Sequence, residues 1–174
     1  VLWLDPQDQV LCMAPAQEVE RLRYQVTDLS LSELTDQAVP VEGIDRLSCE
    51  IDLEADVSKA VRFGVRVRGS FDGSEFTEVY YDASSQELVL DTRHGTCKGW
   101  PAREAAPFSP GSDHLLRLSV FIDKSVIEVY ANNRQALCRR VYPEKKGDEI
   151  QIFAEGSVKL SESRAWSLEP SNPY

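Results

Sequence analysis

Histidine and methionine are scarce in this chain of 174 residues, which holds 2 of the first and 1 of the second. With only His94 and His114 available, imidazole-based catalysis and histidine-rich metal centres have little to draw on. No apolar run approaches the roughly 18 residues of a membrane-spanning helix. Neither GxSxG, nor a phosphate-cradling GxxxxGK, nor GxGxxG, nor HExxH occurs, so nucleophile-elbow, nucleotide and metalloprotease chemistries have no motif behind them. Positive charge is also short: 19 Lys and Arg stand against 29 Asp and Glu, a formal net charge of -10. Such a chain repels phosphate backbones, which argues against nucleic acid and anionic membranes as partners. The start, Val1-Leu2-Trp3-Leu4-Asp5-Pro6, lacks the basic-then-apolar pattern of a secretory leader; a processed protein and a fragment of a longer chain would both begin this way, and the compartment stays open.

The cysteines form no CxxC pair. Cys12, Cys49, Cys97 and Cys138 would permit two disulfides in any of three connectivities, but each lies in or beside an apolar segment, where a thiol packs as a small hydrophobe. A chain of this size buries roughly 70% of its unfolded surface and needs no cross-links, so buried thiols are the favoured reading. Residues 1–174 are expected to form a single domain.

What the chain does have is a succession of short β-branched and aromatic runs broken by turn residues. The clearest is Leu115–Asn133, where two such runs flank Asp123-Lys124-Ser125 and a further turn at Asn132-Asn133-Arg134 leads to a third run ending at Tyr142. Alternation places Leu116, Leu118, Val120 and Ile122 on one face of the first strand, and Ile127 and Val129 on one face of the second. Arg46–Val57 alternates apolar with acidic residues, with Glu50, Asp52, Glu54 and Asp56 on the outer side. Val61–Arg68 alternates apolar with basic ones, with Val61, Phe63, Val65 and Val67 inward. An acidic strand followed by a basic strand predicts cross-strand ion pairing. A short strand is expected at Val10–Cys12, a helical turn within Ala14–Val26, and an edge strand at Thr27–Glu33. Further strands are expected at Phe76–Tyr81, Glu87–Asp91, Ile150–Ala154, Val158–Leu160 and Ala165–Leu168, with a turn at Gly156 and a long loop from Thr92 to Asp113. Some ten to twelve strands without a long helix predict an all-β, two-sheet antiparallel sandwich or barrel; the lack of strand–helix alternation and of repeats excludes a parallel α/β fold, a solenoid and a propeller.

Chemistry is hard to seat on this framework. Asp123 and Glu128 flank one tight turn, and glycosidase catalysis needs two carboxyls about 5–10 Å apart. An exposed hairpin supplies no pocket, so Asp123 reads as a turn former bonding its own backbone and Glu128 as a strand residue with a local partner. His94 and Cys97 have half-site spacing, but the only other histidine is His114 and no spacing signature supplies further ligands, so neither metal nor cofactor is expected. Among Trp3, Trp100 and Trp166, the last reads as core and the first lies near a terminus. Trp100, between Gly99 and Pro101 in the long loop, is the candidate for stacking on a sugar ring.

Phe121-Ile122-Asp123-Lys124-Ser125-Val126-Ile127-Glu128-Val129-Tyr130-Ala131-Asn132 closely resembles the signature of the C-terminal β-sandwich of glycoside hydrolase family 32, the invertases, levanases, inulinases and sucrose-6-phosphate hydrolases. The likeness continues in Arg140-Val141-Tyr142-Pro143, in Ile150–Gly156, in Trp166-Ser167-Leu168 and, upstream, in Pro15, Glu18 and Leu22-Arg23. The resemblance implies a concanavalin A-like sandwich in which Asp123, Ser125, Glu128, Val129, Asn132, Tyr142 and Pro143 are structural signature residues. It also implies an N-terminal five-bladed propeller as partner, carrying the catalytic acids in Trp-Met-Asn-Asp-Pro, Arg-Asp-Pro and Glu-Cys motifs. None of these motifs stands in the chain: the one Asp-Pro, Asp5-Pro6, follows Leu4. No catalytic residue is carried over. The expectation is a non-catalytic accessory sandwich of an enzyme acting on sucrose or fructans, with a freestanding sugar-binding module as the alternative.

Overall fold

Two long strands run through both layers of the molecule and tie them together. The computed structural model describes residues 1–95 and 101–171. In chain order its strands are β1 (Leu2–Leu4), β2 (Leu11–Met13), β3 (Arg23–Asp28), β4 (Glu33–Pro40), β5 (Ser48–Gly69), β6 (Thr77–Asp82), β7 (Glu87–Asp91), β8 (Arg103–Pro107), β9 (Leu115–Asp123), β10 (Val126–Ala131), β11 (Gln135–Arg140) and β12 (Glu149–Leu168), with one 3-10 helix at Gln17–Leu22.

The first half of β5 pairs with β9 on one side and with the second half of β12 on the other. Its second half pairs with β6 and with the first half of β12. One layer therefore runs β11-β10-β9-β5-β12-β3, and the other β8-β7-β6-β5-β12-β4, all antiparallel. This is the sandwich that the strand pattern predicts. The inward rows are those of the alternation: Ile51, Leu53, Ala55, Phe63, Val65, Leu116, Leu118, Val120, Ile122, Ile127 and Val129 are all buried.

Several expectations are corrected. The acidic and basic runs are not two pairing strands but the two ends of β5, and their partners come from elsewhere: Arg23 for Glu50, Arg117 for Glu54, Glu78 and Glu155 for Arg62, Asp148 for Arg68. Where β5 passes from one layer to the other its alternation slips, leaving Val61 53% exposed although the residue is apolar. Gly156 is not a turn but a residue of β12, at a register shift opposite Ala60; its φ of 78° and a Cβ position only 2.5 Å from the Lys59 carbonyl demand glycine. The Ile150, Val158 and Ala165 runs are thus one strand. The long loop contains β8, whose alternating small residues give a weak strand signal beside its prolines. The predicted edge strand at Thr27–Glu33 is instead the junction between β3 and β4, and the helical turn is the 3-10 helix before β3. Cys12 and Cys49 are buried free thiols, burial pushing the Cys49 thiol up to about 12. Cys138 is free but exposed, on edge strand β11, against the expectation of a buried thiol. Cys97 lies outside the described residues.

Candidate functional site

The hairpin residues hold one another by main-chain geometry rather than by carboxylate chemistry. Lys124 turns the chain with φ 52°, and its N–H donates to the Leu47 carbonyl (2.7 Å). The Ser125 carbonyl accepts the Val141 N–H at 2.8 Å, locking the exit of β11. Asn132 adopts φ 49°, a left-handed conformation that asparagine tolerates; its amide Nδ2 donates to the Leu115 carbonyl (2.9 Å) while its Oδ1 accepts the Arg117 N–H (2.6 Å), so the side chain extends the ladder past the end of β10. Val129 sits in the core. Asp123 is exposed and its carboxylate takes no hydrogen bond among the described residues, contrary to the expected turn former: the turn is closed by the backbone instead. Glu128 lies in a row with Phe121 and Cys138 on the outer face, with the Cys138 thiol 3.8 Å from its Oε1, and Tyr142 is exposed beside Pro143. Neither acid lines the best-formed cavities, of which the two nearest the hairpin are bordered by Ser119, Phe121, Tyr130 and Asn133.

The organised carboxylates are two residues that strand alternation placed in solvent. Glu50 is 2% exposed, and Arg23 grips it with two of its guanidinium nitrogens, Nε to Oε2 at 2.7 Å and Nη2 to Oε1 at 2.6 Å. The same guanidinium lies 4.3 Å over the ring of Trp166, which therefore stands on the outer face of the layer and not in the core as expected. Next along β5, burial pushes the Asp52 carboxyl up to about 6, against a lowering hydrogen bond from Ser119. Its Oδ1 is buried without a partner. Cavities of about 160 and 260 Å³ meet at Asp52, Ser119 and Asn133. A carboxyl near 6 is suited to hold a proton, but glycoside hydrolysis needs a second free carboxyl, and the neighbouring Glu50, Glu54 and Glu162 are paired with Arg23, Arg117 and Arg164. The sequence signal for this cluster was available only in pieces, since Arg23, Glu50 and Trp166 meet through three separate strands.

On the opposite layer Arg62 and Arg66 cover Tyr80 and Phe153, with Glu78 bridging the two arginines. His94 stacks on Phe76 at 4.7 Å, away from any metal-ligand set, and no such set occurs among the described residues.

Comparison with known proteins completes the description. The family described as "Glycosyl hydrolases family 32 C terminal" matches residues 18–167. The chain belongs to this family. A raffinose invertase of Escherichia coli is 26% identical over 163 residues, which are 92% of this chain and 32% of that protein. An extracellular exo-inulinase of Aspergillus awamori is 28% identical over 106 residues, 58% of this chain and 20% of that protein. The fold matches fructan 1-exohydrolase IIa from Cichorium intybus with a TM-score of 0.81 at 18% identity, covering 98% of this chain and 40% of that structure. The chain thus spans about a third of the length of the curated relatives first matched. In this family 32 C-terminal domain the hairpin that suggested the likeness lies between β5 and the edge strand β11 of one layer. Trp100, the residue proposed for sugar contact, lies outside the described residues.

Proposed function

We propose that this chain is the non-catalytic C-terminal sandwich of a β-fructosidase-type hydrolase acting on sucrose or fructans, and that its work is to hold and stabilise an N-terminal five-bladed catalytic propeller. The reading is carried by the family match over residues 18–167 in a chain that spans only about a third of its first curated relatives. It is supported by the geometry of the carboxylates, since Asp123 and Glu128 stand outside the best-formed cavities and Glu50 is paired with Arg23. A second support is the β1–β2 ribbon, which exposes Val1, Leu2, Trp3, Leu4, Val10 and Leu11 to solvent. By the pairing of the ribbon Leu2, Leu4 and Leu11 share one face, and an exposed apolar face of this kind supports a contact with another protein surface. The ribbon is anchored to the sandwich by the Met13 N–H to the Asn133 carbonyl (3.1 Å) and by Arg134 to Asp5 and Asp8, so it offers its apolar side chains on a fixed frame. The test is to mix the chain with a family 32 propeller expressed without its own sandwich. Docking is expected to raise the propeller's thermal midpoint, and Leu4→Asp is expected to abolish that rise; the absence of any association with propeller modules from several relatives would count against the reading.

A further inference from the structure

At the far end of β5 a cleft of about 320 Å³, within the size range of small-molecule sites, opens between the Ser70–Phe76 turn and the start of β12. Its lining includes Arg66, Ser70, Phe71, Phe76, Glu149 and Gln151. Phe71 is 76% exposed, although a phenyl ring left in water forgoes the gain of burial. The turn that carries it is firmly built. Asp72 accepts the Ser70 hydroxyl (2.6 Å), the Ser74 N–H (3.1 Å) and the Lys145 ammonium (3.0 Å), and these hydrogen bonds hold its carboxyl well below the usual range. The buried Glu75 accepts the N–H groups of Glu144 and Lys145 at 3.1 and 2.7 Å, and the Phe71 N–H donates to the Lys146 carbonyl. An exposed ring on a floppy tip would need no such frame.

The charges around the cleft are already answered. Arg66 Nε pairs with Glu78 at 2.9 Å, and Glu149 pairs with Arg46 at 2.7 Å. What remains free is hydrogen-bonding capacity: the Gln151 amide has no partner among the described residues, and the Nη donors of Arg66, whose charge Glu78 already balances, have no acceptor there. A fixed aromatic face combined with unpaired hydrogen-bonding groups, beside charged groups (Arg66, Glu75 and Glu149) that already have partners, suits a ligand with an apolar ring face and several hydroxyls. We infer that this cleft binds a neutral sugar unit, stacked on Phe71 and hydrogen-bonded by Gln151 and Arg66. That the sugar belongs to a fructan rests on the proposed function; the cleft itself does not.

The test is calorimetric titration of the chain with inulin-type, levan-type and malto-oligosaccharides, repeated with Phe71→Ala and Gln151→Ala and with Tyr24→Ala, an exposed aromatic on β3, as control. Thermal melts establish that each variant is folded. Binding is expected with a fructan, weakened at least about tenfold by Phe71→Ala and by Gln151→Ala and unchanged by Tyr24→Ala. Binding of the malto-oligosaccharide alone, with the same loss in both cleft variants, would support the cleft while counting against a fructan-processing parent. No heat with any sugar, or affinity untouched by Phe71→Ala, would overturn the inference.

Discussion

Arg23 holds the buried Glu50 with two hydrogen bonds while its guanidinium rests on the ring of Trp166. The arrangement joins β3, β5 and β12 in one contact and fixes the edge strand β3 to the layer. Replacing Arg23 by alanine leaves a desolvated carboxylate without its partner, and a loss of about 3 kcal/mol is expected, the lower end for buried pairs because Arg23 keeps some exposure. Removing both partners as Arg23→Met with Glu50→Leu is expected to recover most of that loss. Urea denaturation of the two variants measures the difference; equal destabilisation by the single and the double change would show that the charge pair is not what matters.

Asp52, two residues along, gives a pH dependence of definite sign. Burial raises its carboxyl from 3.8 to about 6, so between those values the folded chain binds more protons than the unfolded one. Its contribution to stability is full below 3.8 and is lost as pH rises through about 6. Asp52→Asn, which cannot ionise, is expected to match the parent at pH 4 and to exceed it at pH 8 by about 2 kcal/mol, a figure already discounted for partial exposure. Denaturation midpoints across that range decide it, and a variant less stable at pH 8 would refute the burial argument.

Gly64 lies in register between Tyr80 and Phe153, whose rings meet edge to face above it at 6.2 Å. A Cβ at this position would sit 2.0 Å from the Val79 carbonyl and 2.6 Å from the Tyr80 Cα, both backbone atoms that cannot rotate away. Gly64→Ala is therefore expected to cost at least the upper part of the about 1–3 kcal/mol typical of overpacking. A melting temperature within a degree of the parent would contradict the packing described here.

The hairpin separates scaffold from chemistry. Ile127 is fully buried, and Ile127→Ala is expected to cost about 2–5 kcal/mol. Glu128→Gln, on the outer face beside Phe121, is expected to change stability by no more than about 0.5 kcal/mol. Chemical denaturation distinguishes the two positions.

The sandwich was legible because its inward rows are long and strictly alternating: Leu116 to Ile122 and Ile51 to Val57 read the same way in sequence and structure. Alternation also assigns every acid on the opposite face to solvent, and there it fails. Glu50 is buried because a guanidinium from β3 and an indole from β12 close over it, and no local pattern announces partners 27 residues upstream and on a strand at the other end of the chain. The same limit hid the unity of β5 and β12. Each bends from one layer into the other, and the slip in period at Val61 and Gly156 looks like a strand end when only neighbours are compared. The cleft beside Phe71 was missed for a related reason: Asp72-Gly73 marks a turn, but the frame that fixes it comes from Glu144–Lys146.

The central claim is that this family 32 C-terminal domain supports catalysis without performing it. The most direct measurement is fructose release from sucrose, inulin and levan by three samples: the chain alone, a family 32 propeller lacking its sandwich, and the two together. The account predicts no release by the chain alone, and more activity or a longer active lifetime for the mixture than for the propeller by itself. Release of fructose by the isolated chain, abolished by a substitution within it, would contradict the account.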